Sequence, residues 1–138
     1  MAASDVVYTT DVSGLTAADV RGFFADWPTP LPPERHLEIL RGSHTVVLAR
    51  DGAVGSVVGF VTAVSDGVLS AFIPLLEVLP DRRGQGIGSE LVRRILAELD
   101  SFYMVDLVCD PELEPFYQRF EMMLLSGMAL RRAHLLGP

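Results

Sequence analysis

The sequence predicts a mixed-sheet α/β domain in which an antiparallel meander leads into a parallel crossover. Three observations carry that expectation. First, runs rich in Val, Leu and Thr at 45–49, 54–64 and 69–79 follow one another with only short turns between them, Asp51-Gly52 and Ser65-Asp66-Gly67. Short turns join antiparallel neighbours. Second, the 69–79 run is followed by a helical pattern and then by another apolar run, Tyr103 to Val108. A strand–helix–strand unit of that kind returns parallel to its start. Third, Ile87, Leu91, Ile95 and Leu99 recur at four-residue intervals with Val92 and Leu96 beside them. That spacing gives a helix with one apolar face and arginine and glutamate opposite.

The elements follow in order. Val6 to Val12, rich in Val, Thr and Tyr, reads as a first strand. Thr16-Ala17-Ala18-Asp19-Val20 starts a helix with Thr16 as N-cap, and the proline-rich stretch Trp27 to Pro33 breaks it. Glu34 to Arg41 forms a second short helix stopped by Gly42. In the 54–64 strand, Gly55 and Gly59 mark a bulge or a point of close packing. Pro80 ends the 69–79 strand because proline cannot donate to the ladder. The long helix runs to about Leu99, Pro111 opens a short helix through Phe120, and Met122–Leu125 with Met128–Arg131 close the chain as a strand pair around Ser126-Gly127. The expectation is about six to seven strands and four helices, with the crossover running from the fourth strand through the third helix to the fifth strand.

Composition narrows the classes. A chain of 138 residues with 49% hydrophobic content suits one domain with one core. It has no apolar run long enough to span a bilayer and no basic-then-apolar start like a signal peptide. One cysteine, Cys109, excludes an internal disulfide framework and fits a reducing cytoplasm. A net charge of −7 disfavours nucleic acid as a partner and favours cationic substrates. The three histidines, His36, His44 and His134, are scattered, so no metal cluster is expected. The chain contains neither lysine nor asparagine; all eleven basic side chains are arginine.

The turn between the 69–79 strand and the long helix is the chemical landmark. Pro80-Asp81-Arg82-Arg83-Gly84-Gln85-Gly86-Ile87-Gly88-Ser89 leads an apolar strand through an arginine- and glycine-rich turn into a helix. The first N–H groups of a helix have no partner within it, and the dipole favours negative charge there. A phosphate-bearing ligand is the natural occupant. A dinucleotide fingerprint fails, because Ser89 stands where the third glycine is needed, and a P-loop fails for want of a lysine.

Arg83-Gly84-Gln85-Gly86-Ile87-Gly88 resembles the [Gln/Arg]-x-x-Gly-x-[Gly/Ala] signature of the GNAT family of N-acetyltransferases. Downstream, Pro115-Phe116-Tyr117-Gln118-Arg119-Phe120 is similar to that family's Phe-Tyr segment. The likeness extends over nearly the whole element order. Two departures stand out: Glu121 where the family usually has glycine, and Asp110 where many members carry asparagine.

The resemblance implies an acetyl-CoA-dependent N-acetyltransferase. The pyrophosphate would rest on the backbone of Gly84, Gln85, Gly86, Ile87, Gly88 and Ser89, with Arg83 adding charge. The pantetheine arm would run along Leu76, Glu77 and Val78, with the Val78 N–H polarising the thioester and Asp110 contacting the arm as an acceptor only. Tyr117 matches the family's acid for the departing thiolate; its alternative is plain packing. Glu77 is the candidate base, since a carboxylate in an apolar strand is costly unless used or paired. Its alternative is an outward side chain paired with an arginine. Asp106, His36 and His44 are lesser candidates, and Cys109 reads as a small buried hydrophobe. The acceptor is a small-molecule or peptide amine, greeted by Asp66 or Glu34 and by Trp27 to Pro33. The 65–73 segment loosely resembles members that acetylate arylalkylamines or protein amines. Pairing of the final strands across a homodimer fits such folds. A non-catalytic acyl-CoA-binding module on the same fold is the other reading.

Overall fold

A computed structural model describes residues 5–137. Five strands form one sheet in sequential order: β1 (Val6–Thr9), β2 (Thr45–Asp51), β3 (Val57–Ser65), β4 (Ser70–Val78) and β5 (Met104–Asp106). The first three pairings are antiparallel and β4–β5 is parallel, so the expected meander and crossover are both present. The helices are α1 (Pro33–Gly42), α2 (Ile87–Glu98) and α3 (Glu114–Gln118). None of the described helices is long and apolar enough to cross a membrane.

The sheet is covered on both faces, which explains why β2 and β3 read as continuous apolar runs. Along β2, Val46 and Leu48 face one core while Val47 and Ala49 face the other. The first core holds α1 and the 15–24 segment through Leu15, Val20, Phe23, Phe24, Leu37 and Leu40, packed on Phe60. The second holds α2, whose Ile87, Leu91 and Ile95 are buried together with Leu99 at its C-cap. Gly59 is a point of close packing: a Cβ there would stand 3.1 Å from both Ile87 and Leu91. Glycine at this position lets α2 lie directly on β3.

Three expectations are corrected. The helix expected from Thr16 is a single 3-10 turn, Ala17–Val20. Gly22, at φ 92°, lies against Leu79, and the chain then turns to bury both Phe23 and Phe24, so a longer helix cannot continue. The helix expected over 111–120 begins as a 3-10 turn, Pro111–Leu113, before α3. The closing strand pair, Met122–Leu125 with Met128–Arg131, does not form. That segment passes beside Val108, which has already left the sheet, so it finds no ladder to join. The count is therefore five strands and three α-helices among the described residues.

Candidate active site

The cleft originates in β4. On β3, Thr62 pairs with Leu75 and Val64 with Phe72, so β4 carries an extra residue in the stretch Ile73-Pro74. This bulge falls where the β4–β5 ladder stops, at Phe72 opposite Asp106. Pro74 has no N–H to extend that ladder. Beyond it the two strands part, and the gap is a cleft of about 380 Å³ lined by Trp27, Leu76, Glu77, Cys109, Asp110 and Tyr117, among others.

The parting frees the backbone of β4 on one side. The Leu79 N–H donates to the Val58 carbonyl, which fixes the parity of the ladder. Alternate residues of an antiparallel strand point their backbone groups to opposite sides. Glu77 therefore turns its backbone to β3, while Leu76 and Val78 turn theirs to the open side. Glycines follow at the strand's end. Gly84 and Gly86 have φ of 79° and 82°, and nothing lies within 4 Å of where their Cβ atoms would stand. Gly86 caps α2, whose Glu90 N–H is the first to bond back, to the Gly86 carbonyl. The N–H groups of Ile87, Gly88 and Ser89 precede that first bond.

The charged groups divide unevenly around this turn. Arg83 points back: its Nε donates to the Val78 carbonyl at 3.1 Å, and its guanidinium lies 4.0 Å from Asp26. Arg82 donates to Asp51 at 3.1 Å and to Gln85. Arg93 and Arg94 both bond Glu90, on the outer face of α2. Arg119, on the turn after α3, donates to the Ser89 hydroxyl at 2.6 Å and lies over the rings of Phe116 and Phe120. Sequence reasoning missed Arg119, although it stands two residues after Tyr117 in the motif that was read.

Glu77 is half-buried in the cleft, and its partner is a backbone group instead of an arginine side chain. Phe24 donates its N–H to Glu77 Oε1 at 2.8 Å. Burial raises the carboxyl pKa; the Phe24 N–H and the Arg83 charge oppose that, and Asp26 adds to it. Tyr117 is more deeply buried, and its phenol is pushed up to about 12, chiefly by desolvation and then by Cys109. It stays protonated throughout the neutral range. Burial, followed by Glu114, Asp110 and Glu112, pushes the Cys109 thiol up as well, the opposite of what a nucleophile needs. Asp110 is exposed at the lip, where its carbonyl accepts from Leu113.

The remaining sequence candidates, Trp27 excepted, lie elsewhere. Asp106 is exposed at the end of β5. His44 bonds Thr45 at the start of β2, toward the end of the sheet away from Glu77. His36 is buried in the α1 core. Asp66 accepts the N–H groups of Val68, Leu69 and Ser70 and so caps its own turn. Glu34 is exposed in the first turn of α1. Trp27 reaches the cleft and packs edge-on against Phe24. No cluster of His, Cys, Asp and Glu suited to a metal occurs among the described residues.

Residues 13–122 match the model of the acetyltransferase (GNAT) family. A proposed acetyltransferase from Deinococcus radiodurans R1 is 47% identical, superposes with a TM-score of 0.92, and aligns over 96% of this chain and 92% of its own. A GNAT family protein from Streptococcus pneumoniae TIGR4 is 26% identical with a TM-score of 0.74, over 92% of this chain and 98% of its own. Glucosamine-6-phosphate N-acetyltransferase from Arabidopsis thaliana shares the fold at 17% identity and a TM-score of 0.66, over 92% of this chain and 97% of its own. No curated protein matches the chain.

Proposed function

The chain belongs to the GNAT acetyltransferase family, an acyltransferase enzyme family, and on that premise we propose that it transfers acetyl from acetyl-CoA directly to a primary amine. One observation carries the reading: Glu77 and Tyr117 line a single cleft, opened where β4 and β5 part, beside the glycine-rich start of α2.

The N–H groups of Gly84 to Ser89 take the pyrophosphate, and Arg119 sets a guanidinium next to them. Arg83 closes the strand end against Val78 and Asp26. Leu76 offers its open-side backbone groups to the pantetheine arm, which lies along β4 as an added strand would, while Arg83 keeps the Val78 carbonyl and leaves only the Val78 N–H free. Asp110 accepts from an amide of that arm at the lip. The Val78 N–H donates to the thioester oxygen and stabilises the oxyanion that develops there. Glu77 takes a proton from the acceptor ammonium, directly or through a water, and leaves a neutral amine to attack the carbonyl carbon. As the C–S bond breaks, the Tyr117 hydroxyl donates to the departing thiolate, the proton shed by the newly acylated nitrogen returns to the phenolate, and Glu77 releases the proton it took to solvent.

The raised pKa of Glu77 suits a base, and the protonated state of Tyr117 suits a donor. Trp27 at the mouth favours an acceptor with an apolar group near its amine, on a small molecule or a peptide. Met123, Leu124, Leu125, Met128 and Leu130, all largely exposed, support a homodimer that covers them. Light scattering tests that point by the mass in solution.

The test of function is an amine-panel screen read as thiol release, alongside thermal stability with and without acetyl-CoA. Release with at least one amine, lost in Glu77→Gln and Tyr117→Phe, supports the enzyme. Protection by acetyl-CoA without release from any amine would turn the reading toward a binding module. No protection at millimolar acetyl-CoA would sink both, because stabilisation grows as RT ln(1 + [L]/Kd).

A further inference from the structure

Phe24 adopts a backbone conformation that a bulky L-residue rarely takes, with φ of 63°. Its side chain is buried, ringed by Trp27 at 4.9 Å, His36 at 4.9 Å and Phe60 at 5.9 Å between ring centroids. That turn lets the adjacent Phe23 and Phe24 both be buried in one core. It also aims the Phe24 N–H across 53 residues of sequence at Glu77 Oε1, 2.8 Å away. Its neighbours brace the same spot. Gly22 packs on Leu79, and Asp26 stands 4.0 Å from Arg83, which itself holds the Val78 carbonyl.

We propose that Phe24 is a positioning residue for Glu77: its strained turn presents a backbone donor that fixes one carboxylate oxygen and leaves the other for the acceptor amine. Strain held at a site by surrounding packing is a known way of pre-organising a catalytic group. Burial of an apolar side chain at this position is what maintains it. The inference rests on the reading of Glu77 as base and adds the group that orients it. Glu77 is faced by Arg83 and Asp26 from the two turns, and by Cys109, Asp110, Tyr117 and Arg131 around the cleft. Any titration assigned to it has to be separated from theirs.

The experiment begins on the unmodified protein by NMR. The Phe24 amide proton and the Glu77 carboxyl carbon, assigned with Glu77→Gln, are expected to titrate with one shared midpoint. Replacing Phe24 by phenyllactate turns the donating N–H into an ester oxygen and keeps the ring. The acid limb of kcat/KM is then expected to move up by about one pH unit, the scale of one hydrogen bond to a charged group. The KM for acetyl-CoA stays unchanged. Phe24→Leu keeps the N–H and is expected to keep the original limb. An amide proton blind to the Glu77 carboxyl, or an ester variant with an unmoved limb, overturns the proposal. If instead the midpoints coincide but Glu77→Gln retains the acid limb, the positioning bond stands and the assignment of Glu77 as base fails.

Discussion

His36 makes the fold sensitive to acid in a calculable way. It lies on the buried side of α1 at 1% exposure, with its ring 4.3 Å from Phe60 and 5.3 Å from Phe23 between centroids. Neither ring nitrogen completes a hydrogen bond. Burial holds its pKa down to about 4, with a small opposing effect from the Val20 backbone. The unfolded chain, near 6.5, therefore takes up a proton before the folded one does. The stability tied to neutral His36 is fully present above pH 6.5 and drains away as the pH falls through 4. Between pH 7 and 4.5 the loss is about 2–3 kcal/mol, from a gap of roughly 2.5 units at 1.36 kcal/mol each. That is a large share of a domain's typical stability and corresponds to about 8 °C in Tm for a chain of this size. Urea unfolding at half-unit pH steps, on the parent and on His36→Leu, isolates the effect. The variant keeps the contributions of every other group, including Glu77, whose raised pKa acts in the opposite direction within part of this window. Parallel stability curves for the two proteins across pH 7 to 4.5 would refute the reasoning.

Three further outcomes follow from the site and its surroundings. Tyr117→Phe is expected to lower kcat by about 10²-fold with acetyl-CoA affinity retained, measured by thiol release and calorimetry; loss of affinity in place of turnover would return Tyr117 to a packing role. Arg119→Ala is expected to weaken acetyl-CoA binding about tenfold and to flatten its salt dependence, read by calorimetry at two ionic strengths. Glu121 has φ of 65° just after α3, so Glu121→Gly is expected to raise stability by about 0.5–1 kcal/mol in urea unfolding, relief of left-handed strain outweighing the entropy of glycine.

Much of this was legible because the informative signals are local. The apolar face of α2 repeats every four residues, and its three positions and the C-cap Leu99 that continues them are buried. The glycines of the turn stand out by type, and two of them have the positive φ that only glycine adopts freely. Glu77 stood out by contrast with its apolar strand. The errors came where the outcome depends on distant partners. Thr16 does donate its N–H and its hydroxyl to the Asp19 carboxylate, as at a helix start, yet Leu79 and the burial of both Phe23 and Phe24 in one core end the helix within one turn. Met122 to Arg131 has strand-like composition, but a strand needs a neighbour, and β5 is only three residues long. The Phe24–Glu77 bond joins residues far apart in sequence, through a backbone atom that side-chain type does not reveal.

Pro74 carries a wider consequence. By stopping the β4–β5 ladder it leaves a seam between the last two strands of the sheet, with the main-chain groups of Leu76 and the N–H of Val78 left over and the Val78 carbonyl held by Arg83. A seam of this kind is dangerous at a sheet edge, where another chain can zip onto it. Here it is recessed in the cleft that β4 and the 108–110 segment line together. The protein thus keeps one stitch of its sheet undone, and whatever fills that gap completes the secondary structure as well as the reaction. Amide exchange at Leu76 and Val78 is the quantity that reports the stitch being closed.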